Sequence, residues 1–161
     1  MALNPAFIGR TYGPFIYEVG AEKLREFAYA VGGTVPSVGF MSQGAPKGQL
    51  PILNDRDFGA KSEHGSIIAM PNFAVVFSIT PFGKACADPE LGINMLYLVH
   101  GEQSFEWFEV IKPGDVMTTT GVITAITTKN DKDFLTVDTE SRNQRGAMVV
   151  KGTWTAVIRH G

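Results

Sequence analysis

Apolar positions recur at helical spacing once in the first third of the chain. Leu24, Phe27, Ala28 and Val31 fall on one face of a stretch whose other face carries Glu22, Lys23, Arg25 and Glu26. This predicts an amphipathic helix over Ala21–Val31 with one buried stripe. Gly32-Gly33 ends it by supplying the left-handed backbone that helix ends favour. From Gly32 to Gly65 no period survives and Gly, Pro, Ser and Gln dominate, which predicts a long functional or disordered loop. Ile67–Phe82 is then apolar on every side. Its Val75, Val76, Phe77 and Ile79 favour a strand, but periodicity alone does not separate a buried strand from a buried helix. The last third reads as four strands, Met95–Phe108, Val116–Thr128, Phe134–Asn143 and Ala147–Arg159. Turn signals at Pro113-Gly114-Asp115, Asn130-Asp131-Lys132 and Gln144-Arg145-Gly146 separate them. Short links make consecutive strands antiparallel neighbours, so the expected order is helix, long loop, buried apolar segment and antiparallel meander. Strands this long imply a strongly curved sheet.

Composition narrows the partners. The 161 residues are 44% hydrophobic and 19% charged, enough for one self-supporting core. Eighteen Gly and nine Pro favour a turn-rich α+β chain over a helical bundle. Fourteen Lys and Arg against sixteen Asp and Glu leave a net charge of −2, which offers no basic surface for nucleic acid. The single Cys86 forms neither an internal disulfide nor a Cys-based metal site, and suits a reducing compartment. No basic, apolar leader opens the chain. Ile67–Phe82, broken by Pro71 and Pro81, is shorter than the roughly 20 residues a membrane span needs. A soluble cytoplasmic protein without membrane contact is expected.

Four phrases carry a resemblance: Glu-Lys-Leu-Arg-Glu-Phe-Ala (22–28), Ile-Ala-Met-Pro-Asn-Phe (68–73), Val-His-Gly-Glu-Gln-Ser-Phe (99–105) and Lys-Pro-Gly-Asp (112–115). In their order and spacing the chain resembles the MaoC-like hot-dog hydratases and dehydratases, and most of all the dehydratase domain related to fungal fatty-acid synthase. The resemblance covers nearly the whole chain and is weakest between Gly33 and Gln49. It implies an α+β fold, a single hot-dog domain over residues 1–161 in which a long curved antiparallel sheet wraps a central helix. That helix is the apolar segment after Ala69, against its strand propensity.

The resemblance also implies a chemistry, the addition of water to a trans-2-enoyl thioester or its removal from a (3R)-hydroxyacyl thioester, with no cofactor. Active members activate water with an Asp and a His spaced as Asp-x-Asn-Pro-x-His. They hold the thioester oxygen with the backbone N–H of a Gly that opens the central helix. Here Pro51, Ile52, Asp55 and Phe58 fit the family's block, yet the Asp position falls on Gly48, the His position on Leu53 and the Gly position on Pro71. Gly and Leu move no proton, and Pro has no N–H. The family often pairs a dyad-bearing hot-dog with one that has lost the dyad, so the implied role is the silent half that lines the acyl tunnel. Asn72, Phe73, Val76 and Phe77 are its implied tunnel residues, with core packing as the plainer reading. Trp107 and Phe108 fit either a dimer seam or the core.

Three substitute groups remain. Asp55, beside Asp57, reads first as a turn or helix-cap residue. His64 reads first as a surface-loop histidine and His100 as a hydrogen-bonded strand histidine, and neither has the neighbours of a zinc site. Arg142, Arg145 and Lys151 are candidates for the phosphates of coenzyme A, or ordinary strand-edge charges. The expected partners are thus an acyl-CoA or acyl carrier protein thioester and a second hot-dog chain, in a homodimer or a heterodimer with a catalytic subunit. A self-sufficient hydratase using Asp55, His64 or His100 is the first alternative. A non-enzymatic acyl-thioester-binding protein is the second. A hot-dog thioesterase is disfavoured, because Asn72–Thr80 holds no carboxylate for its central helix.

Overall fold

The structure, a computed structural model, describes residues 2–31 and 50–160. Gly48 and most of the expected Gly32–Gly65 loop lie outside them. Five strands, β1 (Thr11–Glu18), β2 (Leu98–Trp107), β3 (Val116–Lys129), β4 (Lys132–Arg142) and β5 (Met148–Arg159), form one sheet in the order β1-β3-β4-β5-β2. The helices are α1 (Ala21–Val31), α2 (Arg56–Lys61), α3 (Val75–Ser78) and α4 (Thr80–Cys86). The chain divides into two compact units, one of residues 1–17, 75–109 and 117–161, the other of residues 18–74 and 110–116.

In the first unit the sheet carries α3 and α4 on one face. β3, β4 and β5 make the expected meander, with Ile123 opposite Val137 and Val137 opposite Trp154. Alternation along these strands turns Met117, Ile123, Leu135, Val137, Val150, Trp154 and Ala156 inward, all of them buried. Phe82, Ala85 and Cys86 of α4 cluster with Ile123, Leu135, Val137, Trp154 and Ala156 of that set. The close seat depends on Gly121, where a Cβ would collide with Pro81 of α4 and come within 3.3 Å of Val137. The apolar segment after Ala69 is helical, as the resemblance implies. It runs as a 3-10 turn (Pro71–Ala74), α3, and α4, with Ile79 between the last two. The break has a local cause, since Pro81 has no N–H to continue the ladder to Phe77.

Two expectations about the sheet need correction. β1 is not among the strands expected from the sequence; it carries Gly13-Pro14 in its middle and lies at the sheet edge, where a proline is tolerated. β2 is not the neighbour of β3 but pairs with β5, with Trp107 opposite Val150. The eight residues between β2 and β3 reach about 26 Å, ample for crossing the three inter-strand spacings of about 5 Å. Residues Met95–Tyr97, expected to open β2, form a 3-10 turn capped by Asn94.

Polar ties anchor the first unit's periphery. Tyr12 donates to Asp88 (2.8 Å), and Arg10 pairs with Asp88 (3.0 Å) and Glu90 (2.5 Å). Burial and the Asp88 bond push the Tyr12 phenol well above its usual range. At the other end the carboxylate of Asp133, 1% exposed, accepts from the Leu3 N–H (2.8 Å) and Thr128 Oγ1 (2.6 Å), with the His160 ring 3.0 Å away. His160 thereby links the residues after β5 to Asp133 of β4. Burial alone raises the Asp133 carboxyl, but Thr128, His160 and the Leu3 amide outweigh it and hold it below the usual carboxylate range. A depressed carboxyl stabilises the fold above its unfolded pKa, about 4, and that contribution fades as pH falls through the lower folded value. Asp133→Asn therefore destabilises by about 2 kcal/mol at neutral pH. Thermal melts of the two proteins should converge below about pH 4; a gap undiminished there would contradict the assignment.

In the second unit, α1 has the expected bounds and buries Leu24 and Ala28, while Val31 at its end is exposed. The expected loop is partly helical, since α2 follows a 3-10 turn at Pro51–Leu53. Residues 67–69 run between these pieces and residues 110–116. Ile68 N–H donates to Ile52 O (3.0 Å) and Ala69 N–H to Ile111 O (2.9 Å). Gly114 N–H donates to Val19 O and Val19 N–H to Asp115 O, each 2.8 Å. Gly59 of α2 makes the approach possible, because a Cβ there would strike the Ile67 amide nitrogen and lie 2.6 Å from Ser66 C. Those are backbone atoms that cannot rotate away, so Gly59→Ala should cost about 1–3 kcal/mol. Denaturant titration measures it, and an unchanged midpoint would refute the close approach.

Candidate functional site

The second unit holds Leu53 and Pro71, two of the three positions singled out by the resemblance. Leu53 ends the Pro51–Leu53 turn and is buried. The Ile52–Ile68 bond lays that turn beside the chain just before it enters the central helix at Pro71. Arg25, expected on the solvent face of α1, is instead half-buried and donates through Nε to Asn54 O (3.1 Å), fixing the turn from the other side. Lys112 Nζ reaches back to His64 O (2.9 Å), and the Lys112 N–H donates to Asp115 Oδ2 (2.8 Å). The phrase Lys-Pro-Gly-Asp marked that turn in the sequence; nothing in the sequence marked the reach of Arg25.

Pro71 is exposed at the first position of the 3-10 turn, and the next amide in line is that of Asn72, also exposed. Phe73 is fully buried, its ring edge-on to Phe27 of α1 at 5.3 Å. In the first unit Phe77 is 2% exposed and stacks on Tyr17 at 5.9 Å, while Val76 is half-buried. Of the four implied tunnel residues, Phe73 and Phe77 are core side chains in the isolated chain, and Asn72 and Val76 keep accessible surface.

The substitute groups are engaged elsewhere. Asp55 caps α2, its Oδ1 accepting from the N–H groups of Asp57 (2.9 Å) and Phe58 (3.0 Å). His64 is half-buried with Nε2 3.8 Å from Glu63. In the first unit His100 is exposed on β2, its ring against Trp154 (5.7 Å) and Phe82 (5.5 Å), with Nε2 3.2 Å from Glu102 O. No base-and-orienter pair results from any of these contacts. Burial pushes the Cys86 thiol up to about 11, so it stays protonated and inert at neutral pH. The basic trio is paired with carboxylates too, two of its members with the same one. Arg142 and Lys151 lie 3.3 and 3.5 Å from Glu140, and Arg145 lies 2.8 Å from Glu109. Among the described residues no group of three or more His, Cys, Asp or Glu could hold a metal ion, and no helix is long and apolar enough to cross a membrane.

The sequence model for the FAS1-like dehydratase domain region matches residues 6–152. A UPF0336 protein of Streptomyces griseus is 35% identical over 162 residues, covering 99% of this chain and 97% of its own length. Among solved structures, a chain of the truncated HadBC (3R-hydroxyacyl-ACP dehydratase) complex from Mycobacterium tuberculosis superposes with a TM-score of 0.73 at 19% identity, covering 94% of this chain and 96% of its own. The unliganded R-hydratase PhaJ1 from Pseudomonas aeruginosa superposes with a TM-score of 0.65 at 17% identity, covering 96% and 83%. At these identities the superpositions establish a shared fold, the hot-dog.

Proposed function

The chain belongs to the FAS1-like dehydratase-domain family, and from that premise we propose that it forms a single hot-dog domain serving as the silent half of a (3R)-hydroxyacyl-thioester dehydratase or enoyl-thioester hydratase. In this reading it contributes no Asp/His dyad and works joined to a hot-dog chain that carries one, in the cytoplasm, on an acyl-CoA or acyl carrier protein thioester. The observation that carries the proposal is at the mouth of the central helix. Pro71, without an N–H, stands where the resemblance puts the amide that grips the carbonyl, and buried Leu53 stands where it puts the histidine. We assign to the acyl chain the four residues the resemblance implies, Asn72 and Phe73 in the second unit and Val76 and Phe77 in the first; Asn72 and Val76 keep accessible surface, and Phe73 and Phe77 are buried. No cofactor takes part.

The partner joins at β2. Of the two sheet edges, β1 is blunted by Pro14, whereas β2 runs ten residues without proline. Its flanks expose Leu96, Val99, Trp107 and Phe108. The similar HadBC chain belongs to a (3R)-hydroxyacyl-ACP dehydratase complex, which supports a heteromeric assembly. The test is hydration of crotonyl-CoA by the purified chain, alone and as the complex isolated after co-expression with a dyad-bearing hot-dog chain of the same genome. The chain alone should be silent and the complex active; steady turnover by the homogeneous chain would overturn the proposal.

A further inference from the structure

We infer that the β2 edge selects, by charge, a partner strand bearing Lys or Arg and disfavours a second copy of this chain; the inference rests on β2 being the docking edge. Between Lys84 and Lys112 the sequence has five acidic residues, Asp88, Glu90, Glu102, Glu106 and Glu109, and no Lys or Arg. Asp88, Glu90 and Glu109 are paired with arginines of the first unit. Glu102 and Glu106 are exposed on β2 and form no ion pair among the described residues. Their register fixes their face. Glu102 lies opposite Thr155, Ser104 opposite Thr153 and Glu106 opposite Lys151, all on the side of the sheet away from the helix. The neighbouring basic groups are engaged there, since Lys151 and Arg142 both turn to Glu140. A depression of about 310 Å³ beside Ser104 and Glu106 is lined by Asp138 and Glu140 as well, with Lys151 as its one basic group.

The two glutamates are placed symmetrically about Ser104. A chain pairing with its own copy does so about a two-fold axis, with the same strand on both sides. Centred on Ser104, that pairing sets Glu102 opposite the copy's Glu106, twice. Centred on Gln103 or Phe105, it sets the glutamates on the diagonal, still within reach of one another. Every central register thus brings like charges together along a strand that is otherwise ready to pair. A different hot-dog chain with Lys or Arg at the facing positions converts both repulsions into attractions. Such peripheral charges decide which partner is accepted more than how tightly it is held.

The test uses this chain alone, so that it is independent of turnover. Wild-type protein, the double variant Glu102→Lys/Glu106→Lys and their equimolar mixture are compared by sedimentation equilibrium. At about 50 mM salt the mixture should associate about tenfold more tightly than either protein alone, and the advantage should shrink at about 500 mM. Wild-type self-association as tight as that of the mixture, or a mixture no tighter than its components, would overturn the inference. The neutral variant Glu102→Gln/Glu106→Gln guards against misfolding of the reversed one. It should self-associate several-fold more tightly than wild type at low salt, and an unchanged affinity counts against charge selection. If the mixture behaves as expected while a co-expressed complex stays silent on crotonyl-CoA, the proposed function fails and the charge selection stands.

Discussion

In the active complex, replacing the partner's dyad histidine should slow hydration of an enoyl thioester by about 10²–10⁴-fold, the usual worth of a positioned proton-transfer group. Asp55→Asn, His64→Gln and His100→Gln in this chain should leave kcat of the saturated complex unchanged. The asymmetry follows from what each group already does. Asp55 spends an oxygen on two amides at the start of α2, so its loss frays a short helix but removes no base. His64 offers its backbone oxygen to Lys112 and keeps its ring near exposed Glu63. His100 rests on Trp154 and Phe82. None is held and aimed by a second side chain within hydrogen-bond distance, as the base of such a pair is; the partner of the His100 ring is the backbone oxygen of Glu102. Comparing kcat and KM across the three variants decides between the silent half and a self-sufficient hydratase. A fall of two orders of magnitude in kcat for any one of them would establish the latter. A rise in KM alone for His100→Gln would mean only that the β2 edge borders the bound thioester.

The sequence revealed most where local chemistry and tertiary demand agree. α1 has one apolar stripe and a glycine pair after it, and its bounds are those expected. β3, β4 and β5 alternate in polarity between strong turn signals, and their pairing follows. It revealed least where a long-range contact overrides a local signal. Gly13-Pro14 hides β1, because an edge strand tolerates a proline that an interior strand does not. Pro113-Gly114-Asp115 announces a turn but not its purpose. That turn bonds to Val19 in the second unit, and in the first unit β2 pairs with β5 instead of β3. The helix after Ala69 was legible only through the resemblance, since Val75, Val76 and Phe77 prefer strands, a preference that the tertiary setting overrides where Phe77 is buried and Val75 packs against the core. The candidate site was half legible for the same reason. Leu53 and Pro71 could be aligned by spacing, but that Phe73 and Phe77 are core residues follows from rings as distant in sequence as Phe27 and Tyr17.

Trp154→Ala should be the most damaging substitution in the fold. The side chain is fully buried, stacks on Phe82 at 5.7 Å, and meets Phe105 edge-on at 5.3 Å. It thereby joins α4, β5 and β2 in one aromatic contact. Truncation leaves a cavity that rigid neighbours on three elements cannot fill, and the cost should be about 3–5 kcal/mol. Its Nε1 also donates to Thr139 Oγ1 (3.1 Å), whose hydroxyl in turn donates to Gly152 O (3.3 Å), so the variant strips a buried oxygen of its donor. For a chain of this length the melting temperature should fall on the order of 10 °C. Trp154→Phe separates the two contributions. It keeps most of the stacking and loses only the N–H, so it should cost about 1–3 kcal/mol. Because His100 leans on the same indole, both variants should also loosen the β2 edge and weaken partner association, more in the alanine protein. Thermal melts of the isolated variants and sedimentation of their complexes check both effects. An alanine variant that melts with the wild type would mean that the helix is not held to the sheet through this residue.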